Sequence, residues 1–261
     1  MEIIRSRTNP LIRRLRLLAE DPAERRLAQR CILQGERLIA DWIKNGGAIE
    51  SLIAVEAASQ GCNFTSTEPD QNWRVACTRV CSALSPVLDR IGGASGTVAV
   101  AVLVEVSAAA EGDGELLFLD GIQDPGNVGS ILRTAAAFGV RHCVPGPGCA
   151  DLWSPKVLRA AMGAHPLMTI HRPTRWSDFT PRHSRILRAA DPRGIPAHQL
   201  DLRIPGVWIV GAEGRGLSAE VQADPHVGRI AVPMARGLDS LNAAMAQGIL
   251  LYEQDRQRRS V

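Results

Sequence analysis

The sequence holds no apolar run near the roughly 18 residues that a membrane span needs. Met1 to Arg16 lacks the apolar segment of a secretory leader. Both absences lead us to expect a cytoplasmic protein. Zinc-site spacing is missing as well. Cysteines stand at 31, 62, 77, 81, 143 and 149, and only Cys77 and Cys81 are close, with no second pair to complete a ligand set. Buried free thiols are expected, and no metal. There is no Walker G-x-x-x-x-G-K-[ST] loop. Lysine is almost absent, at Lys44 and Lys156 alone, so arginine carries nearly all the positive charge.

What is present reads as a folded chain. Hydrophobic content of 45% and charged content of 22% are ordinary for a globular protein. The net charge of +3 is unevenly spread. The first thirty residues hold Arg5, Arg7, Arg13, Arg14, Arg16, Arg25, Arg26 and Arg30 against Glu2, Glu20, Asp21 and Glu24, a net +4 that leaves −1 for the remainder. Such an arm suits a phosphate-binding surface, and equally a solvated helix face.

Asn9-Pro10 reads as an N-cap and first helical residue, followed by Leu11, Ile12, Leu15 and Leu18 at helical spacing. Asp21-Pro22-Ala23-Glu24 resembles a capping box. A strand is expected at Cys31–Leu33, a helix at Glu36–Lys44 stopped by Asn45-Gly46-Gly47, and strands at Leu52–Val55 and Val98–Val104. Small and polar residues 107–114 read as a linker, giving domains over 1–106 and 115–261. Beyond the linker, strands are expected at Leu116–Leu119, Ile186–Ala189, Val207–Val210 and Arg229–Val232. Helices are expected from about Asn127 to Phe138 and from about Ser240 to Arg256. Apolar strands joined by helices imply an α/β fold with a largely parallel sheet.

Three segments carry the chemistry. Asp120 to Arg133, DGIQDPGNVGSILR, is a Pro- and Gly-containing loop entering a helix, whose free N–H groups suit an anion. Gly129 and Arg133 share a helix face, and the missing side chain leaves room beside the arginine. Val207 to Leu217, VWIVGAEGRGL, runs a strand into a glycine loop that permits close approach of a ligand, with Glu213 inside it. Its G-x-x-G-x-G order is not that of a dinucleotide fingerprint. Val232 to Asn242, VPMARGLDSLN, opens the last helix with Ser240 and Asn242, which ordinary capping would also explain.

In this order and spacing the three segments resemble the three motifs of the SpoU/TrmH family within the SPOUT methyltransferases. SRTNPLIRRLRLL and GERLI near the N-terminus are similar to the substrate-binding domain of its rRNA-modifying members. The resemblance implies a C-terminal domain threaded into a trefoil knot, a small N-terminal α/β RNA-binding domain, and a homodimer with the active site at the subunit interface. It implies S-adenosylmethionine as cofactor and 2′-O-ribose methylation of RNA, most directly large-subunit rRNA. Residue by residue it makes Asn127, Arg133 and Glu213 catalytic and has Gly211, Val232 and Leu241 cradle the cofactor, with Ser240 and Asn242 completing the third motif. RNA contacts are expected from Arg5, Arg7, Arg13, Arg14 and Arg37. Departures from the family pattern are Ala161, where relatives often carry Ser, Ser95-Gly96-Thr97 in place of Pro-Gln-Gly, and alanines after Asn242.

Arginine is almost never neutral. Arg133 is therefore expected to orient the 2′-hydroxyl and stabilise developing alkoxide, with a phosphate oxygen able to share the proton. None of the six histidines lies in the three motifs. The rival readings are a tRNA methyltransferase, an inactive homologue that binds RNA as an assembly factor, and a nucleotide-dependent oxidoreductase, which the glycine order disfavours.

Overall fold

The computed structural model describes residues 3–55, 77–92, 96–106, 114–179, 185–235 and 240–259. The chain divides into two compact units. One is Met1–Val104 with Trp153–Pro166, and the other is Glu105–Leu152 with Leu167–Val261.

The first unit is built on a mixed five-stranded sheet, in the order β1 (Ile3–Ile4), β4 (Cys77–Val80), β3 (Ile49–Val55), β5 (Thr97–Val102), β2 (Arg30–Gln34). Helix α1 (Pro10–Glu20) starts as its sequence dictates. Asn9 Oδ1 accepts the Leu11 N–H at 2.9 Å, and Ile12, Leu15 and Leu18 turn inward while Arg13, Arg14 and Arg16 face out. Asp21 caps α2 (Pro22–Ala28) through Ala23 N at 2.8 Å. The capping box is only half formed, because the Asp21 N–H goes to Leu17 O at 2.8 Å and so serves α1. Arg25 is buried, and its guanidinium closes the end of α1 by donating to Leu18 O at 2.7 Å and Ala19 O at 3.1 Å. That arginine is structural. Helix α3 covers Glu36–Lys44 and ends at Gly46 in the left-handed region. Strand β4 and helix α4 (Ser85–Gly92) complete the unit and had no sequence signal.

The sequence boundaries place Trp153–Pro166 in the C-terminal domain, but its packing places it with the first unit. Helix α6 (Pro155–Ala161) packs on β2, where Arg159 Nη1 donates to Gln34 Oε1 at 3.1 Å. Asn45 Nδ2 donates to Gly163 O at 2.8 Å, and the His165 ring lies 6.2 Å from that of Trp42. A buried apolar stripe, Val157, Leu158 and Ala161, explains why the segment needs a partner sheet. Of the expected linker, residues 107–113 lie outside the described residues, as do Ser95 and the 236–239 portion of the third motif.

The second unit holds a seven-stranded sheet, and every pairing in it is parallel. The order is β12 (Val227–Ala231), β10 (Ile186–Pro196), β11 (Gly206–Gly211), β7 (Leu116–Asp120), β8 (His142–Pro145), β9 (Thr169–His171), β6 (Glu105–Val106). β7 and most of β11 are buried along their length, as expected of a sheet covered on both faces. Helix α5 covers Pro125–Ala137, starting before Asn127, because Asp124 is the cap and accepts Asn127 N at 2.8 Å. Helix α8 covers Ala243–Arg259, so Ser240 lies outside it and Asn242 is its cap. A short helix α7 (Ala219–Ala223) follows the glycine loop. Among the described residues no helix is long and apolar enough to cross a membrane, and no group of three or more His, Cys, Asp or Glu could hold a metal ion.

Candidate active site

The three motifs meet at the C-terminal ends of β7, β11 and β12. The glycine loop after β11 is folded back on itself. Ala212 and Gly216 exchange backbone hydrogen bonds at 3.0 and 2.7 Å, and Gly214 and Gly216 both have positive φ. A Cβ on Gly211 would stand 2.7 Å from the Gly216 carbonyl carbon, so glycine is required there. The loop's far end is tied down by the buried Asp120, whose Oδ2 accepts Ser218 N at 2.6 Å.

This loop presents Glu213 to the other two motifs. Asn127 Nδ2 donates to Glu213 Oε1. Asn242 Nδ2 donates to Asn127 Oδ1 at 2.9 Å and to Glu213 Oε1 at 3.3 Å. The opposite end of the Asn242 amide caps α8, its Oδ1 accepting Ala244 N at 3.0 Å and Met245 N at 3.3 Å. One residue from each motif thus forms a single hydrogen-bonded cluster.

Beside the cluster lies a cavity of about 540 Å³, lined by Gly211, Glu213, Val232, Ser240, Leu241 and Asn242 among others. The volume falls within the roughly 300–1,000 Å³ of small-molecule sites. Gly211, Val232 and Leu241, expected to cradle the cofactor, are in its wall, as are Ser240 and Asn242 of the third motif. Apolar side chains, Ile230, Val232, Leu241 and Leu250, also line it. Its charged lining is balanced, with Asp191 and Glu213 against Arg193 and Arg215.

Arg133 is the exception. It is exposed on α5, does not line the cavity, and has no hydrogen bond or ion pair among the described residues. Gly129 on the same helix is buried, so the open notch expected beside Arg133 is covered. In the first unit Arg5, Arg7, Arg13 and Arg37 are exposed. Arg14 is engaged, its Nη1 meeting Glu50 Oε1 at 3.0 Å, with Arg30 on the other carboxylate oxygen. The Arg30 hydrogen bond above all, with the Arg14 charge added and burial opposing, holds the Glu50 carboxyl below its ordinary value.

Sequence reasoning missed Asp120, Asp124 and the segment Asp191–Gly194. Asp124-Pro125 was a legible start signal, a cap followed by proline. Asp191-Pro-Arg-Gly has turn composition, but it follows an apolar strand that gives no sign of continuing.

Residues 115–252, just over half the chain, match the model of the SpoU rRNA Methylase family. The chain belongs to that family. It is thereby an RNA methyltransferase. It is 31% identical to an uncharacterized tRNA/rRNA methyltransferase of Synechocystis sp., over 98% of this chain and 94% of that one. It is 26% identical to the 23S rRNA guanosine-2′-O-methyltransferase RlmP of Bacillus subtilis, over 88% and 90%. An AdoMet-bound rRNA methyltransferase from Sinorhizobium meliloti shares the fold with a TM-score of 0.78 at 25% identity, covering 98% of this chain and 97% of the other. A solved RNA 2′-O ribose methyltransferase matches with a TM-score of 0.76 at 27% identity, over 99% and 100%.

Proposed function

We propose that this protein methylates a ribose 2′-hydroxyl in ribosomal RNA, taking the methyl group from S-adenosylmethionine. The observation that carries the reading is the Asn127–Glu213–Asn242 cluster at the edge of a cavity containing Gly211, Val232 and Leu241. When bound, the cofactor supplies an electrophilic methyl group on a sulfonium. The chain's own work is to hold that ligand through loop backbone and apolar wall, and to align the incoming oxygen. Asn127, Glu213 and Asn242 lock the three loops to one another, so the cavity is preorganised. Arg133 orients the hydroxyl and its neighbouring phosphate with a planar fork and stabilises the developing alkoxide.

Arg133 lies outside its own chain's cavity, which supports a homodimer in which Arg133 of one copy serves the cavity of the other. Helix α8 carries an exposed apolar stripe suited to that contact, Met245 (62% exposed), Ile249 (40%) and Tyr252 (58%), at helical spacing. Tyr252 makes an edge contact with Phe138, at the end of α5, at 6.5 Å. The trefoil knot belongs to the same reading. After edge strand β12 the chain enters α8, which packs against α5 and touches β10 and β11, the return that a threaded C-terminus makes. The first unit serves as the RNA-binding module, with Arg5, Arg7, Arg13 and Arg37 toward phosphate. The bacterial rRNA methyltransferases among its relatives support a cytoplasmic location.

Labelled S-adenosylmethionine offered with unmodified rRNA and tRNA tests this. Label in a ribose 2′-O-methyl of rRNA is the expected result. Label in tRNA alone would move the substrate, and RNA binding without label would make the protein an assembly factor.

A further inference from the structure

Strand β10 does not run straight. Against β12, Ala190 and Ile195 both pair with Ile230, so residues 191–194 leave the ladder as a four-residue excursion. Asp191, Pro192 and Arg193 of that excursion line the cavity that also holds Gly211 and Leu241. Two features fix it. A Cβ on Gly194 would stand 2.4 Å from the carbonyl carbon of Arg229, so only glycine fits without moving β12. Asp191, 5% exposed, then binds the excursion from within. Its Oδ1 accepts Arg193 N at 2.9 Å and Arg193 Nε at 3.2 Å, and its Oδ2 accepts Arg193 Nη2 at 3.2 Å and Arg229 Nη1 at 3.4 Å.

A buried carboxylate is costly unless it is paired, and removing its partners leaves an uncompensated charge. Burial pushes the Asp191 carboxyl up, but the Arg193 hydrogen bonds and the Arg193 and Arg229 charges outweigh it and hold the group below the ordinary range. The acid stays ionised and fully engaged. It has no free oxygen to offer a ligand strongly, so its effect must pass through the residues it holds.

We propose that Asp191 is a positioning residue for the adenosyl cofactor: it fixes the Asp191–Gly194 excursion as a rigid wall of the cavity and holds the Arg193 guanidinium in place. The proposal rests on the reading of this cavity as the cofactor site. Asp191→Asn keeps the acceptor for Arg193 N but removes the charge that gathers two guanidiniums. Arg193→Ala removes a side chain that is 73% exposed and leaves Asp191 its bonds to the backbone N–H at 193 and to Arg229, so the fold should hold.

Calorimetric titration of the full-length protein with S-adenosylhomocysteine, without RNA, reads the effect. Each variant should raise Kd by about tenfold, the order expected for losing a charged hydrogen bond. The double variant should be no weaker than the worse single one, because both act through one interaction. Thermal unfolding without ligand is measured alongside. An unchanged Kd in Arg193→Ala, or a lower unfolding midpoint with unchanged Kd in Asp191→Asn, would reduce the cluster to a sheet brace and overturn the proposal. Additive effects would break the claimed route through Arg193. Failure of the wild-type protein to bind any adenosyl compound would instead sink the cofactor reading.

Discussion

Arg133 and Asn242 stand at opposite extremes of engagement. Asn242 uses both ends of one amide, capping α8 with its oxygen and joining Asn127 to Glu213 with its nitrogen. Arg133 engages nothing among the described residues and lies in water. An idle surface arginine would be replaceable, and Arg133→Ala should in that case leave turnover intact. The proposed role requires otherwise. Arg133→Ala should keep stability within about 0.5 kcal/mol while single-turnover methyl transfer falls by roughly 10²–10⁴-fold. Arg133→Lys should rescue poorly, since a point charge cannot reproduce the fork. A well-folded Arg133→Ala protein with near-normal turnover would remove the residue from the mechanism. At this scale the three motifs singled out Asn127, Glu213 and Asn242, and the fold brings these side chains together. It was silent at Asp120 and Asp191, whose roles depend on groups brought near by folding: Ser218 N for one, a guanidinium on another strand for the other.

Among the elements, the glycine loop is unforgiving. Gly211→Ala would drive a methyl group to within 2.7 Å of the Gly216 backbone, so the loop has to open. Overpacking of this kind costs about 1–3 kcal/mol, and the cavity loses its shape with it. Gly228→Ala is the matched control, because its Cβ would meet Leu187 O at an ordinary 3.4 Å. We expect thermal unfolding and cofactor titration to fall together in the first variant and stay near wild type in the second. Equal behaviour of the two would mean that the loop yields easily. Long apolar strands such as Leu116–Asp120 were readable because burial on both faces leaves no alternation to blur. β8 and β9 were not. His142-Cys-Val-Pro and Thr-Ile-His are too short to show a period, and only their neighbours in the sheet make them strands. β10 was cut short for the converse reason, since its excursion resembles a turn.

For the whole molecule, the proposed reading turns on two surfaces, one for RNA and one for a second copy. Replacing Arg5, Arg7, Arg13 and Arg37 with Ala should flatten the salt dependence of RNA binding, by about 0.7–0.9 in slope for each phosphate no longer neutralised. Cofactor affinity should persist. Adding Arg14→Ala should change less than the others, because the Arg14 guanidinium is held on Glu50, which it shares with Arg30; a large further drop would show that RNA displaces Glu50. Glutamates at Met245 and Tyr252 should convert a dimer to monomers in sedimentation. They should also abolish turnover, with the cavity still able to bind S-adenosylhomocysteine. Full activity in a monomer would end the shared-site reading. The basic arm was visible in the sequence as charge. The apolar stripe was not, because within α8 its residues are interleaved with Gln247, Leu250 and Leu251, which face the interior.

The excursion of Trp153–Pro166 into the first unit has an inheritance of its own. The backbone passes between the units after Val104, again after Leu152 and a third time after Pro166. The two units therefore cannot be traded like cassettes. A gene cut at the apparent linker would strand Trp153, Val157, Leu158 and Ala161 on the C-terminal fragment with their apolar surface uncovered, and would leave β2 of the other fragment without α6. Any chimera that keeps both halves soluble has to carry residues 153–166 along with the first hundred. Recombination at the linker alone would thus yield a sticky protein.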